Sequence, residues 1–177
     1  LQKRKAAQNP TSAATAFDEA RERLDTMGRV HRRLYDPETV NLPVKDYLRD
    51  LCDDVLRSAD ANHVRCEVEA PEIRFDLERL TTLSLVVVEA LTNVLKHAFK
   101  GRSEGRVRVV LMPLEEGRMR LVVADNGVGL PDAAELAQSR SLGQRILQSL
   151  AGQLDGELRY LNDGGARLEL DFDTRLR

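Results

Sequence analysis

The apolar residues of this chain change their spacing after Ala59, and that change decides what the chain can fold into. Ahead of it, Phe17, Ala20, Leu24, Met27, His31 and Leu34 step by three, four, three, four and three. That is a narrow, coiled-coil-like seam rather than the broad stripe of a surface helix. A single helix with such a seam is not stable alone, so it needs a mate. The mate is either a hairpin partner, of which Leu1–Gln8 reads as the end, or a second subunit. Beyond Ala59 the period shortens. Arg106, Val107, Arg108 and Val109 alternate as a half-buried strand does.

Punctuation supports this division. Asn9–Pro10–Thr11–Ser12 is a break with a helix cap, and the helix after it runs to about Leu34. Asp36–Pro37 and Leu42–Pro43 bracket a linker, because a residue before proline resists helix. A helix at Val44–Ala59 puts Tyr47, Leu48, Leu51, Cys52, Val55 and Leu56 on one face. His63–Ala70 and Ile73–Asp76 read as short strands. Leu77–Phe99 is a long helix, apolar over a wide arc and therefore buried against a sheet. Arg106–Met112 and Arg118–Asp125 form a hairpin across Glu115–Glu116–Gly117. After the polar stretch Ala133–Ser141 come a helix at Leu142–Leu154 and a final hairpin, Gly156–Leu161 with Arg167–Phe172. The sum is an α+β chain: a helical segment at 1–36, a linker at 37–43, and at 44–177 a two-layer sandwich of three helices on a mostly antiparallel sheet.

Size and charge narrow the function. A chain of 177 residues buries one core, or one core with a helical appendage. A net charge of −2 gives no basic field for nucleic acid. Cys52 and Cys66 have no Cys-x-x-Cys spacing and read as small buried hydrophobes in a reducing, cytoplasmic compartment. No apolar run reaches the roughly 18 residues of a membrane span, and no secretory signal is present, so no membrane contact is expected. The start at Leu1, without Met, reads as the interior of a longer chain.

Three polar constellations carry chemistry. Glu89, Asn93 and His97 are spaced four apart, with Lys96 three after Asn93, so they share one side of the long helix. They read either as a solvated stripe or as a metal-and-phosphate face. In the second reading Asn93 offers a hard oxygen to Mg²⁺ and Glu89 orients a metal-bound water or serves as general base. Lys96 and His97 then meet phosphate oxygens. Next, an apolar strand ends in Asp125, followed by Gly127 and Gly129. A carboxylate there can accept from an adenine amino group, while the glycines let a flat ligand approach. A plain Asn-Gly turn is the alternative. It is not a Rossmann fingerprint, since Pro131–Asp132 stands where the third glycine and helix belong, and no P-loop occurs. Finally, Ser141–Leu142–Gly143 opens a helix, whose free amides attract phosphate, and Asp132–Arg140 ahead of it could close over a nucleotide. The turn Asp163–Arg167 has no chemistry of its own. His31 reads as a packed core histidine on the seam, and His63 as structural.

Taken in order, Glu-x-x-x-Asn-x-x-Lys-His, Asp-Asn-Gly-x-Gly-Leu-Pro, Ser-Leu-Gly and the Gly-Gly turn resemble the asparagine box and glycine boxes of sensor histidine kinases, within the GHKL superfamily. The run Asn93–Phe99 and the stretch Met27–Tyr35 are similar to the HWE-like class. The resemblance implies a Bergerat-type ATP-binding fold with ATP and Mg²⁺ as ligands. It implies a homodimer formed through the helical segment, autophosphorylation of a His, and transfer to an Asp of a response regulator receiver domain. Two features depart from it. No His-Arg-x-x-x-Asn segment occurs, which places the acceptor His before Leu1 or leaves the protein without one. Ala166 stands where the family often has a Thr that helps bind the adenine end. These departures keep open a dimeric phosphotransfer, phosphatase or docking scaffold with a partly degenerate nucleotide site. A serine kinase of the anti-sigma type, or an ATPase clamp, is the more distant alternative.

Overall fold

A computed structural model describes residues 10–131 and 141–174. The residues of 1–9 and 132–140, including the hairpin mate and the closing segment expected from sequence, lie outside the described residues. Helix α1 (Pro10–Leu34) is followed by a single helical turn, α2 (Pro37–Val40), inside the expected linker. Then come α3 (Val44–Ser58), β1 (Val64–Glu69), α4 (Leu77–His97), β2 (Gly105–Pro113), β3 (Arg118–Asp125), α5 (Leu142–Gln153), β4 (Glu157–Asn162) and β5 (Ala166–Asp173). The expected strand at 73–76 does not form. Its backbone is used otherwise: the Ile73 carbonyl accepts from the Val44 amide at 2.8 Å, and Asp76 caps α4 by accepting from the Arg79 amide at 2.9 Å.

The five strands lie in the order β1-β2-β3-β5-β4. β1 runs parallel to β2, and the other three pairings are antiparallel. The sheet is therefore mixed. The parallel pair follows from connectivity, because α4 is the crossover that returns the chain to the same end of the sheet. Alternation sends Val107, Val109, Leu111, Leu121, Val123, Leu168, Leu170 and Phe172 to the inner face, where α3, α4 and α5 cover them in one core. The buried Tyr47 hydroxyl bonds Ser84 Oγ at 2.7 Å and ties α3 to α4.

The outer face of the sheet carries charge. Asp171 takes a two-pronged contact from Arg120 at 2.6 and 2.8 Å and a third bond from Arg159 at 2.8 Å. Neighbouring Glu169 accepts from Arg167 at 2.8 Å. Both carboxylates are buried beneath the arginine stems.

Helix α1 joins the rest through one flank only. Val30 and Leu34 enter the common core, and Arg33 pairs with Asp50 and Asp54 on α3. The seam residues Phe17 and Leu24 are 72% and 68% exposed, so the described residues do not cover the face expected to need a mate. His31 is exposed beside the Tyr35 ring, not packed in a core as its seam position suggested. Cys52 is buried and Cys66 half-buried, and both are free thiols. Among the described residues no helix is long and apolar enough to cross a membrane.

Candidate nucleotide site

β3 delivers Asp125 to the end of the inner face, directly opposite Val107 of β2. The carboxylate is 7% exposed. Its Oδ1 accepts from the Gly127 amide at 2.7 Å and the Ala166 amide at 3.2 Å. Its Oδ2 is buried and has no hydrogen-bond partner among the described residues. A buried carboxylate oxygen left unpaired is costly, so such an atom marks a place built for a donor. The amino group of an adenine is a donor of the right kind.

The surrounding backbone is drawn close because three glycines permit it. A Cβ at Gly127 would overlap the Ala98 carbonyl at the end of α4, and one at Gly165 would overlap the Asp125 backbone. Gly129, at φ +82°, takes a left-handed conformation that favours glycine, against the Asn162 side chain. The loop is then held on two sides. The Val128 amide donates to the Ala98 carbonyl at 3.0 Å. Asn162 accepts from the Leu130 amide at 2.8 Å and donates to its carbonyl at 3.3 Å. This is firmer than a plain Asn-Gly turn. The turn at 163–167, given no chemistry from sequence, supplies the second amide on Asp125.

Facing this cradle, α4 brings Glu89 and Asn93 to the start of α5. A Cβ at Gly143 would press on Glu89 Oε1 and lie 3.1 Å from Arg23 Nη2 and 3.4 Å from Asn93 Oδ1. Ser141 caps α5: its hydroxyl oxygen accepts from the Gln144 amide at 3.3 Å, and Gln144 Oε1 accepts from the Ser141 amide. The amides of Leu142 and Gly143 have no partner within the helix, which leaves them as donors at its positive end. Leu142 itself is largely exposed.

The other two expected residues of α4 lie further along the helix. Lys96 lines a groove of about 670 Å³ between α1, α3 and α4, together with Arg23, Glu89 and Thr92. His97 is exposed on the last turn of α4. Three residues that the sequence did not suggest belong to the site. Asn162 clamps the glycine loop. Arg23, from α1, donates to both oxygens of Glu89, from Nε at 3.3 and 3.4 Å and from Nη2 at 3.1 Å. Tyr160, on the inward phase of β4, has a buried hydroxyl without a hydrogen-bond partner among the described residues. Burial and the nearby Glu89 charge push its pKa up to about 12.

Comparison with known proteins adds the following. A family model described as "Histidine kinase-like ATPase domain" matches residues 53–169, and one described as "Histidine kinase" matches residues 1–59. Blue-light-activated histidine kinase 2 of Erythrobacter litoralis is 28% identical over 132 residues, which is 74% of this chain and 38% of that protein. The anti-sigma F factor of Geobacillus kaustophilus is 34% identical over 84 residues, 46% of this chain and 57% of that protein. The chain thus spans well under two thirds of either relative. The solved structure of the E. litoralis EL346 blue-light activated histidine kinase superposes with a TM-score of 0.76 at 24% identity, covering 94% of this chain and 52% of that one.

Proposed function

The chain belongs to the histidine kinase-like ATPase domain family, and from that premise we propose that it is the catalytic core of a two-component sensor histidine kinase. The observation that carries the reading is Asp125, buried with one oxygen doubly bonded to the backbone and the other left for a donor at the head of a glycine loop. Asp125 reads the adenine amino group. Gly127, Gly129 and Gly165 admit the flat base. The first amides of α5, from Leu142 and Gly143, meet the phosphate chain with Ser141 holding the helix end in place. The Asn93 side-chain oxygen is the group that would hold Mg²⁺, whose charge offsets that of the phosphate oxygens. Lys96 and His97, at the end of α4, add positive charge.

The chemical step moves the γ-phosphoryl group of ATP to an imidazole nitrogen on the dimerisation helices and releases ADP. A P–O bond breaks, a P–N bond forms, and Glu89 receives the imidazole proton. The phosphoryl group then passes to an Asp of a response regulator receiver domain. Residues 1–36 serve as the dimerisation segment, 37–43 as the hinge, and 44–177 as the catalytic domain. Ala166 contributes only its backbone amide to the adenine end, and the Asp125 cradle does not need a hydroxyl there.

Similarity to anti-sigma F factors favours a second reading, a kinase that acts on a partner protein. The histidine kinase match over residues 1–59 supports the first. Incubating the full-length protein with γ-labelled ATP decides between them. Acid-labile, alkali-stable label on the protein itself supports the histidine kinase, whereas label found only on a partner's hydroxyl groups refutes it.

A further inference from the structure

Resting on the role of Glu89 in that reading, we propose that Arg23 is a latch that pairs with Glu89 and holds the catalytic domain in a resting arrangement on the helical segment. Glu89 is well placed on α4 to take a proton and lines the groove between α1, α3 and α4, yet in this arrangement Arg23 occupies it. Both its oxygens accept from the Arg23 guanidinium. The pair is largely buried, with side chains 14% and 8% exposed. The third side is closed by the start of α5, which approaches so nearly because Gly143 has no Cβ. A guanidinium fork on both oxygens engages part of a carboxylate's lone pairs and neutralises its charge, so it competes with any incoming donor. Glu89 therefore acts more readily once Arg23 lets go.

The two partners come from different parts of the chain. Arg23 is on α1 and Glu89 is 66 residues later on α4. Letting go thus means that the upper part of α1 separates from α4, a movement that phosphoryl transfer onto a dimerisation helix requires in any case. Val30, Leu34 and Arg33 hold the end of α1 that lies next to the 37–43 hinge, so the far end of the helix, with Arg23, travels furthest. One ion pair accordingly links the position of the helical segment to the availability of the base. Charge-assisted hydrogen bonds of this kind set an equilibrium by on the order of tenfold.

The test compares full-length wild-type protein with Arg23→Gln and Arg23→Lys. Three quantities are measured: the initial rate of histidine phosphorylation at saturating Mg-ATP, ATP affinity, and hydrogen exchange along α1. The latch predicts that Arg23→Gln raises the initial rate on the order of tenfold without changing ATP affinity, while Arg23→Lys, which keeps the charge but loses the fork, falls between Arg23→Gln and wild type. It also predicts faster exchange around residue 23 in Arg23→Gln, and equally in Glu89→Gln. A folded Arg23→Gln variant that binds ATP but phosphorylates at or below the wild-type rate overturns the proposal. If no variant and no wild-type protein takes up label, the kinase reading fails, and exchange alone judges the latch. Equal acceleration in both variants then supports it, and unchanged exchange overturns it.

Discussion

Two glycines in one helix make opposite predictions. Gly143 and Gly152 lie in the first and last turns of α5, where replacing glycine by alanine gains at most about 0.5–1 kcal/mol. At Gly152 a new Cβ meets nothing within 4 Å, so Gly152→Ala keeps that gain. For a domain of this size it raises Tm by at most about 2–4 °C. At Gly143 the same methyl lands on Glu89 Oε1 and crowds Arg23 Nη2 at 3.1 Å and Asn93 Oδ1 at 3.4 Å. Overpacking costs about 1–3 kcal/mol, and splitting a buried ion pair costs about 3–5 kcal/mol. After the helix gain is subtracted, Gly143→Ala should lose at least about 3 kcal/mol, or about 6–12 °C in Tm. Thermal unfolding followed by circular dichroism reads both variants. A double-mutant cycle locates the cause: in a Glu89→Ala background the space is free, and Gly143→Ala should become neutral or stabilising. If Gly143→Ala raises Tm as Gly152→Ala does, α5 does not press on Glu89, and the geometry of the site is wrong.

Two further outcomes follow from side chains near the sheet. Arg120 and then Arg159 hold the Asp171 carboxyl below its ordinary range against the opposing effect of burial. Its contribution to stability is therefore complete above about pH 4, the unfolded value, and is lost as pH falls through the lower folded value. Urea midpoints measured from pH 5 to pH 2 should fall for the wild type and fall less for Asp171→Asn; equal slopes would contradict this. Tyr160→Phe removes a buried hydroxyl that has no hydrogen-bond partner among the described residues. Its stability should match or exceed wild type by up to about 1 kcal/mol, and a loss larger than that would show that the hydroxyl is bonded.

Much of this architecture was legible because periodicity and turn chemistry are local. The seam of α1, the face of α3 from Tyr47 to Cys52 and the β2–β3 hairpin all appear at nearly the residues that the spacing indicates. The segment 73–76 misled because an apolar pair, Ile73 and Phe75, looks like a strand whether or not a neighbour exists to pair with it. Its backbone found Val44 instead. Asp125 and the glycine loop were readable as a site, but the second amide on the carboxylate comes from Ala166, 41 residues away, and no local pattern reports that. Asn162 left a trace: it continues the phase of Leu158 and Tyr160 at the strand's end, where a polar side chain can bond a loop laid beside it. Arg23 left none. On a helix rich in charge, an arginine one position from the seam looks like any solvated residue until α4 is laid beside it.

If the second oxygen of Asp125 reads an amino group on the base, a nucleotide titration of wild type against Asp125→Asn reveals it. With Mg-ATP, Mg-GTP and Mg-ITP as ligands, the wild type should bind ATP and reject the two purines whose 6-position is an acceptor. In Asp125→Asn, Oδ1 can still accept from Gly127 and Ala166 while the new amide donates outward, so preference should move toward GTP and ITP by at least about tenfold. Equal affinities for all three nucleotides in the wild type, or a preference that Asp125→Asn leaves unchanged, would contradict the account.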